Sequence, residues 1–142
     1  ITLESFSKIN LDCNVIIIVE NLMNFLTLPK LENTVAIWGQ GFGLENMKVI
    51  EWIKSKSVFY WSDLDAHGMQ MLSQLRSYFP QTQSLFMDLE TLNRFKGYWV
   101  KGTATRVTRL PHLTDDERKL FEHLSVNNIR LEQERIPQEY IN

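Results

Sequence analysis

Along the chain, continuous β-branched runs alternate with segments whose apolar residues recur at helical spacing. Val15 to Val19 is the clearest run: it has no polar alternation, the mark of a strand covered on both faces in a parallel sheet. Glu20 ends it. Residues 21–28 then carry Leu22, Met23, Phe25 and Leu26 ahead of Pro29, which predicts a short helix. The cycle repeats with a strand from Thr34 to Trp38, a glycine-rich turn over 39–43 and a helix over 44–55. A third strand from Ser57 to Trp61 leads through Ser62-Asp63-Leu64-Asp65 into a helix from about Ala66 to Tyr78, closed by Pro80. A fourth strand over 84–87 runs into Asp88 and a short helical stretch over 89–95.

Strands alternating with helices predict right-handed βαβ crossovers. The expected fold is α/β, doubly wound in three Rossmann-like layers: a mainly parallel sheet of about four strands with helices on both faces. Residues 97–112 break the rhythm with a Gly, Thr and Pro mixture carrying Lys101, Arg106 and Arg109, a long loop of the kind that is usually functional or disordered. Thr114 and Glu117 form a capping box ahead of Leu120, Phe121 and Leu124, so a last helix is expected to about Leu124. Residues 129–136 alternate apolar and polar, as a short strand or an edge segment would.

A length of 142 residues with 44% hydrophobic content predicts one domain over 1–142. The formal charge of -2 supplies no global basic field, so composition alone does not point to nucleic acid. The lone Cys13 excludes an internal disulfide and a cysteine-rich zinc site, and is expected to be structural. The run from Val15 to Val19 is far shorter than the ~20 residues of a membrane span, and no signal peptide opens the chain. A soluble domain is expected, and the start at Ile1 predicts a piece of a longer protein.

Candidate chemistry sits at the strand ends. In open α/β sheets ligands bind beyond the carboxyl ends, where strand order reverses. Glu20 follows the first strand, Asp63 and Asp65 the third, and Asp88 the fourth. Asp63 and Asp65, two apart on extended chain, face the same side and repel unless a cation or a shared proton lies between them. Hard oxygen ligands of this type select Mg2+ or Mn2+. Glu20 joins the pair if strands one and three are neighbours. The bland alternative has Asp63 capping the helix at Ala66 with Asp65 in solvent. A manganese-dependent glycosyltransferase would also use an Asp-x-Asp but gives Glu20 no role. His67 faces either a phosphate or its own helix start, and Phe59-Tyr60-Trp61 and Tyr98-Trp99 are expected in the core.

The run ending in Glu20, followed after a second βα unit by Asp63-Leu64-Asp65-Ala66-His67-Gly68, resembles the Toprim domain of topoisomerases, bacterial primases and related nucleases. Its Asp-x-Asp-x-x-Gly form is especially similar to the topoisomerase VI A subunit. More narrowly, Val19-Glu20-Asn21-Leu22, Ala36-Ile37-Trp38-Gly39, Tyr60 to Gly68, Leu75-Arg76-Ser77-Tyr78-Phe79 and Arg130-Leu131-Glu132-Gln133-Glu134 resemble the C-terminal region of the JetD family, nuclease subunits of the bacterial Wadjet anti-plasmid system. The resemblance covers nearly the whole chain.

It implies a metal-dependent DNA endonuclease in which Asp63 and Asp65 hold Mg2+ (or Mn2+) and Glu20 completes the site or acts as general base or acid. Glu132 and Glu134 match the terminal motif, so that either one of them reaches the metal or both belong to a surface edge strand, and Asn21 stands where the Toprim glycine usually follows the glutamate. Candidate DNA contacts are His67, Lys101, Arg106 and Arg109. The implied partners are double-stranded plasmid DNA and condensin-like SMC subunits in the bacterial cytoplasm, with a homodimer left open. The rival within the same fold is a degenerate module kept for assembly.

Overall fold

The computed structural model describes residues 2–9 and 11–141. At its centre is a parallel sheet in the order β2-β1-β3-β4, with β1 at Val15–Val19, β2 at Thr34–Trp38, β3 at Ser57–Trp61 and β4 at Gln83–Ser84. The first three strands end level: Val19 lies opposite Trp38 on one side and Trp61 on the other. Ile16, Ile18, Val19, Tyr60 and Trp61 are fully buried, each such apolar side chain contributing about 1.5–3 kcal/mol. Layers on both faces of β1 make its unbroken β-branched run necessary.

From β1 the chain steps to one side for β2, then crosses back over β1 to β3 and on to β4. Right-handed connections running in opposite directions lie on opposite faces. They put α2 (Leu22–Leu26) on one face and α4 (Ala66–Tyr78) on the other. The carboxyl ends of β1 and β3 are therefore the point where strand order reverses, and the fold is the expected three-layer Rossmann-like α/β class. Ahead of the sheet, α1 (Leu3–Lys8) is capped by Thr2.

Three segments depart from expectation. Residues 39–43 form a short helix, α3 (Gly39–Phe42), rather than a turn. Residues 44–55 are not one α-helix but two 3-10 turns, Glu45–Val49 and Glu51–Ser55. The buried residues there are Leu44, Met47, Ile50 and Ile53, a strict spacing of three, which is the period of the 3-10 helix rather than the α-helix. The fourth strand is only Gln83–Ser84, because Phe86 adopts φ 55 and ends the extended run. Its ring instead meets Trp61 at 5.3 Å and Tyr140 at 5.6 Å.

Beyond the sheet, α5 (Leu89–Arg94) begins at an Asp88 cap. A short β5 (Val100–Lys101) pairs antiparallel with β6 (Ile129–Arg130), so the tail over 129–136 is strand only at its start and turns into a 3-10 helix at Gln133–Arg135. Between them lies α6 (Asp115–Asn127), opened by the expected Thr114–Glu117 capping box and running past Leu124; α7 (Gln138–Ile141) closes the chain. Tyr60 and Trp61 are core as expected and Trp99 is half-buried, but Tyr98 is 49% exposed. Cys13 is buried and free. Among the described residues no helix is long and apolar enough to cross a membrane.

Candidate active site

The level ends of β1 and β3 bring Glu20 beside Ser62 and Asp63, the Glu20 amide donating to the Trp61 carbonyl at 3.1 Å. After β3 the chain stays extended. Leu64 exchanges both backbone hydrogen bonds with Leu131, at 2.9 and 3.0 Å, so the segment after β6 is laid across the strand ends as an extra antiparallel partner. This crossing carries Arg130, Gln133 and Glu134 into the same place as the acidic residues.

The result is a cleft of about 620 Å³ lined by Glu20, Asp63, Asp65, His67, Arg106, Arg130 and Glu134, with Tyr60, Gln70, Thr105 and Gln133 among its other walls. Gln70 of α4 donates to Thr105 at 2.6 Å and ties the long loop to the cleft. Of the residues singled out in the sequence, Lys101, Arg109 and Glu132 do not line it. Lys101 is held away in β5, opposite Ile129. Asp88 caps α5 through the Thr91 amide at 2.8 Å and faces a separate groove.

The helix start after β3 also differs from the bland alternative, in which Asp63 is the cap. Asp65, not Asp63, is the N-cap of α4, accepting from the Gly68 amide at 2.7 Å. Gly68 is required here by close approach: a Cβ would meet the Asp63 carbonyl oxygen and, at 2.6 Å, the Ser62 hydroxyl. That contact explains the glycine of the Asp-x-Asp-x-x-Gly pattern. Burial raises the pKa of Asp65, helped by the Asp63 charge, while the Gly68 amide and Arg130 oppose it.

Asp63 and Asp65 do face one side, and the cation between them belongs to the protein. Arg130 donates to Asp63 Oδ2 from Nε at 3.1 Å and from Nη2 at 2.6 Å, and its Nε lies 3.7 Å from Asp65 Oδ2. The other Asp63 oxygen accepts from the Gln133 amide at 2.8 Å. Gln133, 1% exposed, also donates from Nε2 to the Trp61 carbonyl at 3.1 Å and accepts from the Asn21 amide at 3.0 Å. One buried side chain thus joins the ends of β1 and β3. Asn21 needs no glycine-like backbone: at φ -83 it caps α2 and donates to Glu134 at 3.1 Å.

Glu20 is held differently. Its carboxyl lies over Gly39 at the end of β2, in space that a Cβ on that residue would fill. Its pKa is raised, chiefly by burial; the Tyr60 hydroxyl and His67 pull the other way, yet neither Glu20 Oε1 nor that hydroxyl reaches a hydrogen-bond partner. Glu134 is also raised, by burial and by the neighbouring Glu132. Among the described residues no three His, Cys, Asp or Glu side chains are arranged to hold a metal ion. The donor chemistry suits a hard divalent cation, with Oε1 of Glu20 buried and unpaired, but the position between the aspartates is taken by a guanidinium.

The family model described as Wadjet protein JetD, C-terminal, matches residues 1–142. The chain belongs to this family. A search of the curated proteins finds no match. As a JetD C-terminal chain it is a component of the Wadjet anti-plasmid system, which works with other defence subunits. In this JetD chain, sequence reasoning gave Glu132 and Glu134 a role and overlooked Arg130 and Gln133 between and beside them. A signal for Gln133 was present: it follows Ile129 and Leu131 at spacing two, a polar residue at an inward position that demands buried partners.

Proposed function

We propose that the chain is the DNA-cleaving Toprim domain of a Wadjet nuclease, hydrolysing phosphodiester bonds of double-stranded plasmid DNA with Mg2+ or Mn2+. The observation that carries this reading is the convergence of Glu20, Asp63 and Asp65 on one cleft at the strand-order reversal, beside the basic Arg106 and Arg130. A glycosyltransferase would leave Glu20 without a task.

Asp63 and Asp65 would hold the ion, with Glu134 at the rim. When bound it supplies neutralisation of charge on the scissile phosphate and leaving oxygen. Glu20 would take a proton from the attacking water, its pKa raised by burial in the direction that favours a general base. The water oxygen bonds to phosphorus as the bond to the leaving alkoxide breaks. Arg106 and His67 line the approach and hold flanking phosphates. Condensin-like SMC subunits are the expected partners that deliver the DNA.

Cleavage of supercoiled plasmid by the protein assembled with its partner subunits, in Mg2+ or Mn2+, tests this. Glu20→Gln and an Asp63→Ala, Asp65→Ala double variant should each abolish nicking and linearisation; cleavage unchanged in both would overturn the reading. A second reading, an assembly module without catalysis, is favoured by one observation, the engagement of Asp63 by Arg130 and Gln133. It predicts no divalent-ion binding by calorimetry even at millimolar ion with DNA present.

A further inference from the structure

We infer that Arg130 is a built-in surrogate cation: it neutralises the Asp63–Asp65 pair in the metal-free protein and must yield that position before a divalent ion can bind there. This rests on the metal-site reading above and adds a step to it that no acidic residue supplies.

The geometry supports the role in three ways. Arg130 reaches both aspartates, with two donors on Asp63 Oδ2 and Nε 3.7 Å from Asp65 Oδ2. The pair is mostly withdrawn from solvent, at 22% and 14% side-chain exposure, whereas Arg130 remains 39% exposed. Two such carboxylates repel strongly without a counter-charge, and a side chain open to the cleft can swing away without opening the core. Its backbone is fixed independently of the ion pair, by β6 pairing with β5 and by the Leu131–Leu64 bridge. Release therefore costs the ion pair alone and leaves the strand in place. The Gln133 amide stays on Asp63 Oδ1 and holds that carboxylate in orientation while Oδ2 is vacated.

The consequence is a bias against premature metal loading. When the binding-competent state is a minor fraction, apparent affinity falls by that fraction. A DNA phosphate entering beside Arg106 offers the freed guanidinium a bidentate partner of the kind arginine prefers. Metal affinity should then rise when DNA is present, since each ligand favours the arrangement in which Arg130 has left the aspartates.

The test is Mn2+ affinity, by calorimetry or by the paramagnetic signal of free ion, together with melting temperature, for the wild-type protein, Arg130→Gln and Arg130→Lys. Loss of the competing charge in Arg130→Gln should tighten Mn2+ by about tenfold or more. The same variant should melt lower than wild type without metal and recover once millimolar Mn2+ replaces the missing charge. Arg130→Lys, which keeps the charge, should stay close to wild type in affinity. If Arg130 merely orients Asp63, Arg130→Gln would bind Mn2+ more weakly and metal would not restore its melting temperature, which overturns the inference while leaving the metal site standing. If neither wild type nor Arg130→Gln binds Mn2+, with or without a short DNA duplex, the metal-site reading itself fails and the inference with it.

Discussion

At the residue scale, two glycines in the site serve opposite ends. The Cβ that Gly68 lacks would strike the Asp63 carbonyl, which is backbone and fixed by the surrounding pairing. Gly68→Ala should therefore destabilise the protein by about 2 kcal/mol, an overpacking cost without a cheap escape, as read by urea denaturation. The Cβ that Gly39 lacks would first meet the carboxyl end of the Glu20 side chain, which can rotate away. Gly39→Ala should fold with a loss under about 1 kcal/mol but move the Glu20 carboxyl, lowering plasmid cleavage much more than stability. Equal losses in both properties would show that Glu20 is not poised over Gly39. The Asp-x-Asp pattern was legible in the sequence. Which aspartate caps the helix was not, because that depends on where the backbone turns after the Leu64–Leu131 bridge.

At the element scale, the segment from β6 onward matters more than its length suggests. Gln133 satisfies the Asn21 amide and the Trp61 carbonyl at once, groups that further strand pairing would otherwise cover. Gln133→Ala leaves the Asn21 amide without its partner, at about 1–3 kcal/mol, while the Trp61 carbonyl keeps the Glu20 amide. It should cost about 2 kcal/mol and raise amide exchange at Asn21, measured by denaturation and hydrogen exchange. A stability change near zero would mean that water substitutes fully for the amide.

A second junction joins α4 to α6. Arg76 pairs in bidentate fashion with Glu117 and also donates to the Thr82 and His112 carbonyls. With side chains only 14% and 12% exposed, this pair is worth more than a surface ion pair. Burial alone would raise the pKa of Glu117, but the Arg76 hydrogen bonds, the Thr114 amide and the Arg76 charge outweigh it and bring it below the usual 4.5. A depressed folded pKa means stability that is complete above the unfolded value and lost as pH falls through the folded one. The stability gap between wild type and Glu117→Gln should thus be widest near neutral pH and close below about 4.5, as followed by denaturation across a pH series. A gap that stays constant with pH would rule out an ionic contribution.

At the scale of the whole molecule, the net charge of -2 offers no field to draw DNA in. Binding has to come from a few local cations against a cleft floor that is itself acidic. A divalent ion changes the sign of that balance, so chelation should weaken duplex binding many-fold, which fluorescence anisotropy would register. In the presence of Mg2+, Arg106→Ala should flatten the salt dependence of binding by about one phosphate's worth of slope, whereas Arg109→Ala, outside the cleft, should leave it nearly unchanged. An equal effect of the two would place the DNA path over the loop surface.

The sequence by itself determined what local patterns encode. The β-branched run of β1, the bounds of β1, β2, β3 and α4, the capping box of α6 and the acidic strand ends were all readable, because hydrophobic period and cap chemistry act within a few residues. The 3-10 turns before β3 were readable in principle from their spacing of three, but a helix-length apolar segment hides that period. Only the tertiary structure decided that β1 and β3 are neighbours, that residues 129–134 cross their ends, and that Arg130 rather than solvent faces Asp63. These are pairings between positions some 42 to 113 residues apart. No local period carries such information; it arises from which surfaces remain to be covered once the sheet has formed.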